Sequence, residues 1–103
     1  MGRYVEISKQ YQACNEHYYE VIPHDHPEIK PFYIGLNETT KKVFFYENVT
    51  KEFIATVDLD GNLQYQSGAV KDRIPRWLIF LCLKKAKDAF MVEKFPSNIS
   101  FQS

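Results

Sequence analysis

Over residues 30–68, short runs of aromatic and β-branched residues recur at strand-length intervals between polar turn clusters, the pattern of an antiparallel meander. It predicts strands over 31–36, 42–47, 52–59 and 63–66, joined at "NETTK", "NVTK" and "DGN". Asp60-Gly61 is the strongest turn signal, because this pair tolerates the positive φ that lets a tight hairpin match the twist of its strands. A Ca²⁺ loop at "DLDGN" is not supported: the glycine comes too early and the distal glutamate is missing. Period-two alternation puts Phe32, Ile34, Leu36, Val43, Phe45, Phe53, Ala55, Val57, Leu59, Leu63 and Tyr65 on one face of this sheet. Tyr33, Phe44, Tyr46 and Ile54 fall on the other.

After Lys71 the period changes. The stretch "DRIPRWLIFLCLKKAKDAFMVEKF" predicts a helix over 72–95, with Asp72 as a cap, Pro75 in the first turn and Pro96 as the stop. At about 100° per residue, Leu78, Ile79, Cys82, Leu83, Ala86, Ala89 and Phe90 share one broad face suited to cover the sheet. The dense apolar run at 77–83 is far shorter than the roughly twenty residues a bilayer crossing needs, so no membrane helix is expected.

Residues 1–30 carry two conflicting patterns. Tyr11, Cys14, Tyr18 and Val21 or Ile22 follow helical spacing, whereas "RYVEIS" and "HYYEVI" are each strand-like. A short strand followed by a helix is the expectation, with Pro23, Pro27 and Pro31 marking an irregular connection. The fold class is therefore α+β: a four-stranded antiparallel β-meander packed against one long C-terminal helix, with an N-terminal strand or short helix. A chain of 103 residues fits a single domain, 1–103, made of the N-terminal segment 1–30, the sheet 31–68 and the helix 72–95.

Composition narrows the function classes more than it names one. Thirteen basic residues balance thirteen acidic ones, so net charge supplies no attraction to nucleic acid or to an anionic membrane. The balance hides an asymmetry, since 71–94 carries seven basic and three acidic residues and the remainder six and ten. Two cysteines are too few for a secreted disulfide scaffold, and the start has no basic-plus-apolar signal, which predicts a cytoplasmic protein. The glycosylation-type triplets at Asn37, Asn48 and Asn98 carry little weight without such a signal.

Three constellations are candidates for function. Cys14, His17, His24 and His26 lie within thirteen positions and are the donor types of a zinc site, but the two loop histidines sit between prolines and no Cys-rich knuckle accompanies them. Tyr33, Phe44 and Tyr46 beside Lys42 resemble the base-stacking platform of a single-strand binder, unless the N-terminal segment folds over that face. The outer side of the helix offers Arg73, Arg76, Trp77, Phe80 and Leu81, residue types enriched where protein partners dock. No Gly-rich phosphate loop, paired-carboxylate motif or base-assisted nucleophile is evident. The expectation is a non-enzymatic protein-interaction module, without cofactor, engaging a protein partner or a second copy through the helix; a metal-dependent enzyme is the remotest alternative.

Overall fold

Residues 1–30 do not contain the expected helix. The computed structural model, which describes residues 4–48, 53–69 and 71–102, shows there the two longest strands of the protein, β1 (Tyr4–Ala13) and β2 (Glu16–Pro23). They form a hairpin that turns at Cys14, whose φ of 55° supplies the left-handed step usually left to glycine or asparagine. Once β2 is extended, His17, Tyr19, Val21 and Pro23 are buried while Glu16, Tyr18, Glu20 and Ile22 are only half-buried, so tyrosines on both faces had masked the alternation.

The expected meander follows as β3 (Phe32–Asn37), β4 (Lys42–Tyr46), β5 (Phe53–Asp58) and β6 (Leu63–Tyr65). All but the first residue of the expected "NVTK" turn, and the Glu52 start of the third strand, fall at 49–52, outside the described residues. At the β3–β4 turn, Asn37 Oδ1 accepts from the Thr39 and Thr40 amides, both at 3.0 Å. The Asp58 carboxylate organises the β5–β6 turn by accepting from the Asp60 and Asn62 amides at 2.9 and 3.0 Å, and Gly61 takes the positive φ of 86°. These bonds to its charged form hold the Asp58 carboxyl below the usual range, the Asn62 side chain contributing most. The sheet has seven antiparallel strands, not four, in the order β6-β5-β4-β3-β2-β1-β7; the N-terminal hairpin extends it edgewise and does not cover its second face.

The helix α1 (Arg76–Val92) is shorter than the expected 72–95. Asp72 does not cap it; Pro75 occupies the N-cap with extended backbone, and no side chain caps the first turn. Glu93 enters the left-handed region at φ 54° and the Lys94 amide donates to Ala89 O at 3.2 Å, which ends the helix before Pro96 can. All seven residues assigned to its core face are buried. They meet Val5, Ile7, Tyr19, Val21, Phe32, Ile34, Leu36, Val43, Phe45, Ala55 and Val57 in one cluster.

The remaining chain runs back along β1. Lys9 donates its amide to Ser97 O at 2.8 Å, Ile99 donates to Ile7 O at 2.9 Å, and β7 (Phe101–Gln102) pairs with Val5 and Tyr4. Tyr19, fully buried, donates its hydroxyl to Pro96 O at 2.7 Å.

One expected face assignment is inverted. Between the pairs Phe45↔Ala55 and Tyr46↔Phe53 the register shifts by one residue, a β-bulge that turns Phe53 outward with Tyr46 and drops Ile54 into the core. Strict alternation had assigned these two the other way.

Burial pushes the Tyr19 hydroxyl up to about 12. A raised folded value stabilises the native state below the unfolded value near pH 10, and that stabilisation is lost as pH climbs toward about 12. Denaturant unfolding across this window should reveal a loss on the order of 2 kcal/mol from this group. Tyr19→Phe should cost about 1 kcal/mol at neutral pH through the missing bond to Pro96 and should flatten the alkaline slope; an unchanged slope refutes the assignment.

Candidate functional site

The Cys–His constellation is dispersed by the strand that carries it. Along an extended strand each residue advances about 3.4 Å, so His17 and His24 stand roughly 24 Å apart. Cys14 is exposed at the hairpin turn. His17 is buried on the inner face, stacked on Phe95 at 3.9 Å and 5°, with Nε2 2.9 Å from Glu38 Oε2. His24 stacks on Tyr4 at 5.1 Å and meets Glu6 at 2.8 Å, while His26 meets Glu28 at 3.2 Å and lies 4.9 Å from the Trp77 ring. Among the described residues no group of three or more His, Cys, Asp or Glu is arranged to hold a metal ion.

On the helix side the five named residues have different surroundings. Arg73, which precedes α1, spends its guanidinium on the Glu47 carboxylate and on Lys30 O and Pro31 O at 3.2 and 3.1 Å. It is a strut between the helix entry and the β2–β3 connection. A cleft of about 680 Å³ opens beside it, lined in part by Glu28, Glu47, Phe53 and Asp72, and Arg73 is committed before any ligand arrives. Trp77 and Leu81 are half-buried against the core, Trp77 beneath His26. Arg76 is exposed, and so is Phe80, at 40%; the next exposed apolar side chains, Met91 and Val92, lie about three turns further on.

The open face of the sheet is different. Tyr33, Lys42, Phe44 and Tyr46 all point outward and are half-exposed, as alternation requires. They are joined there by Tyr11, Tyr18 and Phe53. The rings Tyr11, Tyr18, Tyr46, Phe44 and Phe53 follow one another at centroid distances of 4.8, 5.9, 6.3 and 5.4 Å, a continuous row crossing the sheet from β1 to β5. The register explains it: Tyr11 faces Tyr18 across β1–β2, Tyr18 faces Gly35, and Gly35 faces Phe44. A second bulge, between Lys9 and Tyr11, is what brings Tyr11 to the Tyr18 side.

Gly35 sets the middle of the row. It lies in a central strand, where a side chain would ordinarily stand between Tyr18 and Phe44. The Glu16 side chain takes that space: a Cβ added at Gly35 would overlap its carboxylate. Glu16 Oε1 accepts from the Tyr46 hydroxyl at 2.7 Å and Oε2 from Asn37 Nδ2 at 3.4 Å. Burial raises the Tyr46 hydroxyl far above its ordinary range, and the bond to Glu16 and the charge of that carboxylate add to it. Burial, then Glu16, then Tyr11 raise Tyr18 as well. Across the outer face Glu6, Glu16, Glu20 and Asp58 outnumber Lys42, so its field is negative.

The cysteine of the helix is not equipped for nucleophilic chemistry. Cys82 is fully buried in the core and burial pushes its thiol up to about 12, the opposite of activation. In comparisons with protein-family models, curated proteins and solved structures, nothing matches this chain.

The Gly35–Glu16 arrangement is open to a direct test. Gly35→Ala should expel the Glu16 carboxylate and lower stability by about 1 to 3 kcal/mol through overpacking, read by thermal melting. The alkaline absorbance titration of Tyr46 should move part of the way back toward ordinary tyrosine. A titration curve identical to that of the parent protein would show that Glu16 does not hold Tyr46.

Proposed function

We propose that this chain is a small non-enzymatic protein-interaction module that docks a protein partner on the open face of its sheet. The observation that carries this is the unbroken row of half-exposed rings from Tyr11 to Phe53. Aromatic side chains present large apolar area with few rotatable bonds and dominate the affinity of many protein interfaces. A contiguous uncovered patch of this kind is uncommon on a protein with no partner to occupy it.

The outer face of the helix is the weaker surface for the same role. Arg73 is engaged within the chain, Trp77 and Leu81 are half-buried, and the lysines at 84 and 87 separate Phe80 from Met91. Its claim rests on Phe80 beside Arg76. Single-stranded nucleic acid would use the same rings as the protein partner, but Glu16 and Glu20 would face its phosphates, with Lys42 the one lysine or arginine on the strands of that face among the described residues. Charge therefore favours the protein reading.

Selection of a displayed heptapeptide library, followed by amide shift mapping on ¹⁵N-labelled protein, decides between the surfaces. Selected peptides should perturb the amides of Tyr18, Gly35, Phe44 and Tyr46, and Tyr18→Ala or Phe44→Ala should weaken them by tenfold or more, about 1.4 kcal/mol. Shifts confined to 76–92 would move docking to the helix and overturn the proposal. Oligothymidylate binding on the sheet face, with no peptide selected, would replace it with the nucleic-acid reading.

A further inference from the structure

We infer that the open face recognises arginine side chains in an extended segment of its partner, with the Glu16 carboxylate over Gly35 as the principal receptor. The inference rests on the sheet face being the docking surface and adds the chemistry of what docks there.

Three observations converge on a cation of this shape. The Glu16 carboxylate is fixed in position by Tyr46 and Asn37, yet among the described residues it has no basic partner. A carboxylate offers about four acceptor positions; Tyr46 and Asn37 take two and the Tyr18 hydroxyl bears on the same group, which leaves room for one N–H of a guest. Near it the Tyr18 and Tyr46 rings stand 5.9 Å apart and tilted by 56°, and the faces of such rings attract a cation laid over them. Finally, Glu20 lies on the same face of β2 as Glu16 and Tyr18, and it too has no ion-pair partner among the described residues.

Arginine suits this surface better than lysine. Its guanidinium is planar, so it can lie against a tyrosine ring while one N–H edge reaches the carboxylate, and it surrenders its hydration more readily than an ammonium. Spacing follows from the strand. Glu16 and Glu20 are separated by four residues of β2, about 13 Å, so an extended segment running along β2 matches them with arginines four positions apart and an apolar or small residue over Tyr18.

The probe is the heptapeptide Ser-Arg-Ser-Ser-Ser-Arg-Ser, compared with analogues carrying citrulline or lysine for arginine, titrated into ¹⁵N-labelled full-length chain. Citrulline keeps the planar shape of arginine but replaces one NH2 with a carbonyl oxygen, removing the charge and two of the five N–H donors. The arginine peptide should shift the amides of Glu16, Tyr18, Gly35 and Tyr46. Citrulline should weaken it at least tenfold and lysine severalfold. Glu16→Gln should weaken it at least fivefold while the chain stays folded, and Glu20→Gln gives the same reading if Glu16→Gln does not fold. Equal binding of the arginine and citrulline peptides, or no shift up to millimolar peptide, overturns the inference. If library-selected peptides then still map to the sheet face without arginine, the docking face stands and only its cation specificity is lost; if they map elsewhere, both readings fall together.

Discussion

One helix has to bury the inner face of seven strands, and the rest of the structure follows from that mismatch. A helix with its side chains is about 10–12 Å wide, whereas seven strands at about 4.8 Å spacing span roughly 29 Å. A flat sheet of that width would leave apolar side chains uncovered beyond both sides of α1. Two devices close the gap. The sheet carries bulges in β1 and β5 that add local twist, within overall dimensions of 34 × 32 × 26 Å. The chain after Val92 then turns back to cover the β1 side: Phe95, Ile99 and Phe101 pack on the core, His17 stacks on Phe95, and Tyr19 holds Pro96. His17 and Tyr19 are therefore fasteners for the terminal segment, which gives two prominent polar residues of β2 a structural purpose.

On the other face of the sheet no second layer of described chain lies over the rings. Its edges are protected: β6 has three residues and β7 two, too short to template pairing with another chain. The exposed apolar area is thus concentrated in the middle of the sheet and not along its margins. Carboxylates from Glu6, Glu16 and Glu20 keep that area hydrated and give it a sign, opposite to that of the basic stretch 71–94. The charge asymmetry visible along the chain becomes a separation between helix and sheet face.

Much of this was legible in the sequence, and the failures have identifiable causes. The helix face was readable to the residue because seven apolar positions at 3.6 spacing leave no competing pattern in 78–90. Strands β3, β4 and β6 were readable because turn residues bound them. The N-terminal hairpin was not: its turn is made by Cys14 in a conformation with no compositional signal, and tyrosines on both faces of β2 blur the alternation that marks a strand. β7 has two residues, below any periodicity. For the site, Tyr33, Phe44 and Tyr46 were placed correctly by alternation, while Phe53 was lost to a bulge that shifts the register by one. Tyr11, Tyr18 and Glu16 were missed because they belong to the segment whose fold was misread. A long-range pairing, β2 with β3, joins them to the rest, and pairing of that kind leaves no trace in local pattern.

Gly35 shows how the site and the fold constrain each other. Glycine inside a central strand weakens it by roughly 0.5–1 kcal/mol and offers nothing to pack, so a sheet shaped only by stability would carry a β-branched residue there. Here β3 is the strand between β2 and β4, and the vacancy above Gly35 is filled by a carboxylate from a neighbouring strand. That carboxylate is held by a tyrosine hydroxyl whose own ionisation it opposes. A valine at this position would strengthen the strand and bridge the ring row with aliphatic surface, making the face uniformly apolar and more prone to self-association. With glycine the same face carries a fixed negative charge at its centre, flanked by rings. The local weakness in β3 is what gives an otherwise aromatic surface a carboxylate at its centre.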